Sequence, residues 1–479
     1  MKELAETALN QLELAGVDYG DVRVVLGKQE SAEVRNGAPE SISRNESQGV
    51  GIRVLVDGCW GFAAVGSLER EEVLRTARLA IKVARASGVV RAGQVKLGEV
   101  EPATGSYETA HEQDPFAVPL TDKLDVLVRA SELMMKPGVG VSQAFFSAHD
   151  TWKLFASTEG ARTDQHIVET GGGIAATAVA ENDVQVRSYP NSFRGNFATA
   201  GYEYFTGLDV VSQAERVAEE ARALLAAPRC PSGRRDIVIE GGQLALQVHE
   251  SIGHAIELDR VLGTEASYAG TSFLTVDKLD RLKYGTDIVN VVADATVPGG
   301  LGTFGYDDEG VPAQRVDIIK DGLFVGYLTS RETAPVIGRR SGGAMRADGW
   351  QNIPLIRMTN VNLLGGQWEL EDLIADTDGG LFLATNRSWS IDDHRLNFQF
   401  GTEIAWEIKG GKLAQMYKNP TYTGITPEFW NSCDAICNQK HWQMWGTPNC
   451  GKGEPGQRAH VGHGVAPARF RNVQVGVIK

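Results

Sequence analysis

Near its midpoint the chain changes character. The stretch Ala227-Pro228-Arg229-Cys230-Pro231-Ser232-Gly233-Arg234-Arg235 places two prolines, a glycine and three arginines between a helical repeat and the apolar run 237–239. A helix or central strand does not continue through two prolines, so this is the natural linker. Before it, apolar residues at helical spacing predict helices over 3–14, 69–86, 121–135 and 210–226, and alternating stretches predict strands over 21–26, 50–56, 61–65, 143–148, 152–157, 166–170 and 173–180. Beyond it strands dominate, over 288–294, 313–320, 323–329, 381–385, 397–408 and 412–417, with turns such as Asp321-Gly322 and Gly410-Gly411 between them. Only the segment after Gly241 reads as a good helix there. The expected fold is α+β: residues 1–227 form an α+β domain around antiparallel sheet, and residues 228–479 form a β-rich domain carrying one conspicuous helix. With 479 residues, 42% of them apolar, there is material for both cores.

Charge narrows the function classes. There are 47 Lys and Arg against 61 Asp and Glu, a net charge of −14, which disfavours nucleic acid and anionic lipid as partners. The first sixteen residues interleave acids with apolar residues and lack the basic head and apolar block of a signal peptide. No stretch approaches the roughly 20 apolar residues that cross a bilayer, so a cytoplasmic protein with no membrane partner is expected. Five cysteines, an odd number over a long chain, suit reduced thiols or metal ligands better than a disulfide framework.

The helix after Gly241 carries His249-Glu250-Ser251-Ile252-Gly253-His254, an HExxxH. In the familiar zinc-protease motif the histidines are four apart and both imidazoles reach one metal. Five residues of regular α-helix turn about 500°, leaving the second ring some 140° from the first. A single wide π-type turn restores convergence, and Gly253, just before the second histidine, is a plausible place for it.

Catalytic zinc takes three protein ligands and keeps one position open, so a third donor must come from elsewhere. Glu257 and Asp259 lie just downstream; Glu257 follows His254 by only three residues and suits a role orienting an imidazole N–H. Cys450, in Asn449-Cys450-Gly451-Lys452-Gly453, is the stronger candidate, because a thiolate is a good zinc donor and glycines permit close backbone approach. Glu250, beside the first histidine, is placed to take a proton from a metal-activated water and pass it to a leaving amine. Alternatives remain: Cys433, Cys437, His441 and Cys450 have the look of a separate structural zinc site, and His460 and His463 are possible ligands. Asp307-Asp308-Glu309 reads either as a loop for a cation or a peptide amino end or as a solvated turn. Trp430, Trp442 and Trp445 read as channel lining or as packing.

Several segments together resemble the TldD/PmbA family of metallopeptidases, in its metal-bearing TldD branch. They are Gln48-Gly49-Val50-Gly51-Ile52-Arg53 with Gly61-Phe62-Ala63, the run HESIGHAIELD over 249–259, Asp307-Asp308-Glu309-Gly310-Val311-Pro312, Arg357-Met358-Thr359-Asn360, and Cys450-Gly451-Lys452 leading to Val461-Gly462-His463-Gly464. The resemblance implies one zinc ion per chain held by His249, His254 and Cys450, with Glu250 as catalytic acid/base. It also implies a dimer, of like chains or with a PmbA-like subunit, whose N-terminal domain helps enclose a chamber for unfolded leader- or antitoxin-like peptides held in extended form. The alternative is a non-hydrolytic, peptide-binding modulator subunit of such a complex. Ala255 stands where the family commonly has glycine, and Gly365 where the turn after Arg-Met-Thr-Asn commonly differs; neither removes a ligand.

Overall fold

In a computed structural model, residues 1–89 and 93–476 are described. Four strands far longer than the sequence pattern suggested build the N-terminal half: Tyr19–Arg35, Ala38–Val56, Val139–Ser157 and Arg162–Ala180. The expected pairs 143–148/152–157 and 166–170/173–180 are each one continuous strand. The polar stretches between them, such as His149 to Thr151, run along the ladder and are paired on both sides. These strands are the centre of an eight-stranded sheet, antiparallel except where Thr104–Glu108 runs parallel to Arg162–Ala180.

Strand alternation gives this sheet two different faces. Even-numbered residues such as Val22, Val24, Val34, Phe146 and Leu154 carry the apolar face. It is covered at one end by the helices Lys2–Leu14 and Arg70–Ser87 and at the other by Leu120–Met134 and Val210–Ala226. Odd-numbered residues, among them Asp21, Arg23, Arg53, His149, Lys153, Gln165 and Glu169, carry a polar face turned to the C-terminal half. Contacts across it include Gln165 Nε2–H to the Tyr306 carbonyl at 2.9 Å and the ion pairs of Arg53 with Glu309 and Lys153 with Asp308.

In the C-terminal half, Leu381–Ile391 pairs with both Gly233–Ile239 and Asn397–Lys409. These three strands therefore close a ring with Ala468–Val475 and Thr421–Ile425. A second, four-stranded sheet contains Val291–Asp294, Arg315–Lys320, Leu323–Phe324 and Val361–Leu363, and the hairpin Gln443–Lys452/Gln457–Val465 stands apart. One core joins ring and helix: Ile237, Ile239, Leu383, Phe400, Tyr422 and Phe470 from strands pack with Leu244, Val248 and Ile252. Short helices at Leu258–Val261, Leu370–Ala375 and Thr426–Trp430 escaped the sequence pattern, being too brief to show a period. The fold class is α+β, as expected.

Candidate metal centre

The strand Gly233–Ile239 ends at Glu240, whose carboxylate accepts N–H bonds from Gly242 and Gln243 and so caps the helix Gly241–Val248. The helix does not stop regularly. Over His249–Gly253 it widens into a π-turn, with the His254 N–H donating to the His249 carbonyl, five residues back, at 3.1 Å. Surrounding side chains hold this geometry. Tyr284 Oη–H donates to the Ser251 carbonyl at 2.8 Å, and Trp430 Nε1–H to Ser251 Oγ at 3.0 Å. At Gly253 an added Cβ would lie 2.4 Å from Met358 Sδ, so the wide turn passes where only a hydrogen fits.

The turn does what five-residue spacing requires. The rings of His249 and His254 stand 4.9 Å apart, edge to face, and Cys450 Sγ lies 3.7 Å from His254 Nε2. One donor atom from each of His249, His254 and Cys450 lies within 4.8 Å of the others, all three residues buried. Cys450 comes from the C-terminal hairpin, tied down by Arg357, which donates to the Cys450 carbonyl at 2.5 Å and to the Gln457 carbonyl at 3.2 Å.

Hydrogen bonds behind the rings fix which nitrogens are free. His463 Nδ1 faces the Val361 carbonyl at 3.1 Å, and a carbonyl only accepts, so that nitrogen carries the hydrogen. Burial first, and His249 second, hold His463 well below its usual range, so its Nε2 is a bare acceptor. It takes the Nδ1–H of His249 at 2.8 Å. His254 Nδ1 likewise donates to Glu257 Oε2 at 3.0 Å. Both Nε2 lone pairs are thereby left for a cation. Burial lowers the pKa of both rings, which favours the neutral, ligating form. Burial alone would raise the Cys450 thiol, but His254 and Arg357 outweigh it and the thiol lies below its ordinary value. These shifts pull against each other, since only a charged His254 stabilises the thiolate. Burial is the larger influence on the ring, which favours a neutral His254 beside the sulfur. Two neutral imidazoles and a thiolate fit zinc.

Glu250 lines the same cleft, of about 390 Å³, and its Oε2 accepts from Arg395 at 2.9 Å. Trp389 and Trp445 form walls, and Phe193 reaches over from the N-terminal half to meet Trp389 edge to face. Glu257 and Asp259 sit behind the rings in a buried charge cluster. Lys452 Nζ lies 2.8 Å from Asp259, 3.0 Å from Glu265 and 3.4 Å from Glu257, while Arg260 reaches Glu257 and Glu265. Sequence reasoning gave no role to Lys452, Arg260, Glu265 or Arg395. No periodicity marks them, and Lys452, two residues beyond Cys450, was the nearest available signal.

Other expectations resolve differently. Cys433, Cys437 and His441 do not gather with Cys450. Cys433 and Cys437 pack in separate apolar clusters, where burial pushes their thiols up, Cys437 to about 12, and His441 bonds Glu369 at 3.0 Å. The separate zinc site is therefore not assembled. Asp308 and Glu309 do not line the histidine cleft, and their loop is no solvated turn: it is buried against the polar face of the N-terminal sheet and paired with Arg23, Lys153 and Arg53. Trp430 is core, Trp442 caps the Leu363 carbonyl, and only Trp445 of the three lines the cleft. His463 stands behind His249, and His460 faces elsewhere.

An α+β frame presenting two imidazoles and a thiol to one point, with a carboxylate beside them, defines the class as metallopeptidase-like. Residues 20–84 match PmbA/TldA metallopeptidase domain 1, residues 113–225 the central domain and residues 232–477 the C-terminal domain, and the chain belongs to the PmbA/TldD family of metallopeptidases. It is 30% identical to a metalloprotease of Synechocystis sp. over 96% of this chain and 95% of that one. It is 28% identical to a metalloprotease of Methanocaldococcus jannaschii over 93% and 94%. A Thermotoga maritima protein of known structure superposes with TM-score 0.78 at 18% identity over 99% of this chain and 100% of that one. TldE from Thermococcus kodakarensis gives 0.71 at 17% identity over the full length of both.

Proposed function

We propose that this chain is a zinc-dependent peptidase acting on unfolded or extended peptides of the leader or antitoxin kind, with His249, His254 and Cys450 holding one zinc ion and Glu250 as general acid/base. The observation that carries the proposal is the π-turn, which brings two rings five residues apart to one point beside a distant sulfur. Zinc bound there supplies Lewis acidity, polarising a carbonyl and acidifying a water. The chain's own part is positioning and proton transfer. Arg395 holds Glu250 by Oε2, leaving Oε1 to accept a proton and later hand it to the leaving amine. Glu257 and His463 keep the rings oriented.

Substrate form follows from the edge of Leu381–Ile391. This strand pairs with Gly233–Ile239 only through Leu383, so from Asn386 to Ile391 one edge has no strand partner among the described residues. Asn386, Trp389, Ser390 and Ile391 line the histidine cleft. An extended peptide can add there as a strand, its side chains alternating between cleft and solvent. We assign catalysis to residues 228–479 and part of the dimer and substrate chamber to residues 1–227. The assembly is a cytoplasmic dimer of like chains or with a PmbA-like subunit, a partnership in keeping with the likeness to TldE.

The test is incubation of the chain, with and without such a subunit, with an unfolded-peptide library read by mass spectrometry. Cleavage lost in Glu250→Gln at unchanged metal content is expected. Equal cleavage by wild type and Glu250→Gln would overturn the acid/base assignment, and metal without any cleavage would favour the non-hydrolytic modulator.

A further inference from the structure

The C-terminal hairpin carries metal-type donors on both faces. Ala459, which pairs with Cys450, shares its face with Val461 and His463, whereas His460 points the other way, to the polar face of the N-terminal sheet. There His149 and Glu169 are directly opposed cross-strand neighbours. His460 Nδ1 lies 2.6 Å from Glu169 Oε2, the His149 and His460 rings are 4.8 Å apart, and one donor atom from each of the three residues lies within 4.8 Å of the others. All three are half-buried on a cleft of about 430 Å³ between the two halves of the chain. We propose that His149, Glu169 and His460 bind a second divalent cation of the zinc type, which clasps the C-terminal hairpin to the N-terminal sheet.

The donor chemistry is two imidazoles and one carboxylate, a set that leaves a divalent ion one net positive charge and a side open to the cleft for water. A His–Glu ion pair alone does not account for the second ring. His149 stands edge to face with His460, and the 3.4 Å contact between its Nε2 and Ser147 Oγ is a long bond that a cation can outcompete. A cation replacing the His460–Glu169 proton would satisfy all three at once. Half-buried Arg346 stands nearby, with Nη1 on the His460 carbonyl, Nη2 on the Met358 carbonyl and its guanidinium 5.5 Å from the Phe304 ring. A carboxylate in place of a thiolate as the anionic donor makes this site the weaker of the two for zinc. Because His460 adjoins the residue paired with Cys450, the clasp also fixes the strand on which the first site depends.

Full-length protein stripped with a chelator is titrated with Zn²⁺ by calorimetry and with Co²⁺ by absorption, where only a thiolate ligand gives a near-ultraviolet charge-transfer band. Wild type should bind two ions, the second at least tenfold more weakly. His149→Ala and Glu169→Gln should each bind one and keep the band; Cys450→Ala should lose the band and still bind one. The zinc-induced rise in melting temperature of Cys450→Ala should vanish in the Cys450→Ala/Glu169→Gln pair, a readout that holds even if His149→Ala folds poorly. Wild type binding one ion, Glu169→Gln binding as many as wild type, or no melting shift in Cys450→Ala would each overturn the second site. The thiolate band reports on the first site separately.

Discussion

His463 Nε2 sits 2.8 Å from His249 Nδ1, with its own Nδ1 on the Val361 carbonyl, so a backbone oxygen two rings away determines which nitrogen of His249 is free. Removing that acceptor should loosen the ligand without touching it. His463→Phe keeps the ring shape but not the acceptor, and should weaken zinc affinity about 10–100-fold in competition with a chelator. Unchanged affinity would mean the tautomer of His249 is set some other way.

Gly253→Ala tests the wide turn. Its Cβ would meet Met358 Sδ at 2.4 Å, and overpacking of this kind costs about 1–3 kcal/mol. Urea denaturation of Gly253→Ala, Met358→Ala and the pair should show that the second change offsets part of the first. Strict additivity would place the strain elsewhere.

The buried cluster behind His254 makes a stability prediction. Lys452 faces Glu257, Asp259 and Glu265, and removing one partner of a buried pair typically costs about 3–5 kcal/mol. Lys452→Met should lower the denaturation midpoint accordingly and weaken metal binding, since Glu257 would lose the charge that holds it in place. A midpoint within error of wild type would contradict this.

How much of this was legible in the sequence depends on the length scale of each feature. The π-turn was readable because HExxxH at spacing five admits one rotation that makes both rings meet, and Gly253 lies within that turn. The helix 210–226 was readable from its period. The strand lengths were not, because a polar stretch such as His149 to Thr151 reads as a break when it is only the hydrophilic part of a ladder that continues between two partners. The loop Asp307-Asp308-Glu309 reads as solvated because its partners, Arg23, Arg53 and Lys153, lie more than a hundred residues away, and charge pairing across such separations leaves no local pattern. Arg395 and the orienting role of His463 are invisible for the same reason.

That interface has a pH dependence with two signs. Burial would raise Asp308, but Lys153 and Arg23 outweigh it and hold its carboxyl below the usual range. Its contribution is present above the unfolded value of about 3.9 and is lost as pH falls through the lower folded value. Burial and the adjacent Glu309 push Asp307 up to about 7, so the folded form keeps a proton that the unfolded chain releases near 3.9, and stability from this group declines as pH rises from about 4 to about 7. Unfolding free energy, followed by denaturant at pH 4 to 7, should fall over that window in wild type. Asp307→Asn should flatten the slope; an unchanged slope would remove Asp307 as its source.

Substrate addition to the edge at Asn386 to Ile391 predicts a period of two. Peptides N-methylated at successive backbone positions should lose cleavage at alternate positions, where the N–H would face the strand, and keep it at the others. Uniform tolerance would exclude pairing at this edge.

The central claim is that His249, His254 and Cys450 share one ion. X-ray absorption at the zinc edge of the loaded protein measures it most directly. The expected signal is nitrogen or oxygen neighbours at about 2.0–2.1 Å with a sulfur at about 2.3 Å that disappears in Cys450→Ser. Zinc bound with no sulfur neighbour, or a sulfur that survives Cys450→Ser, would contradict the account.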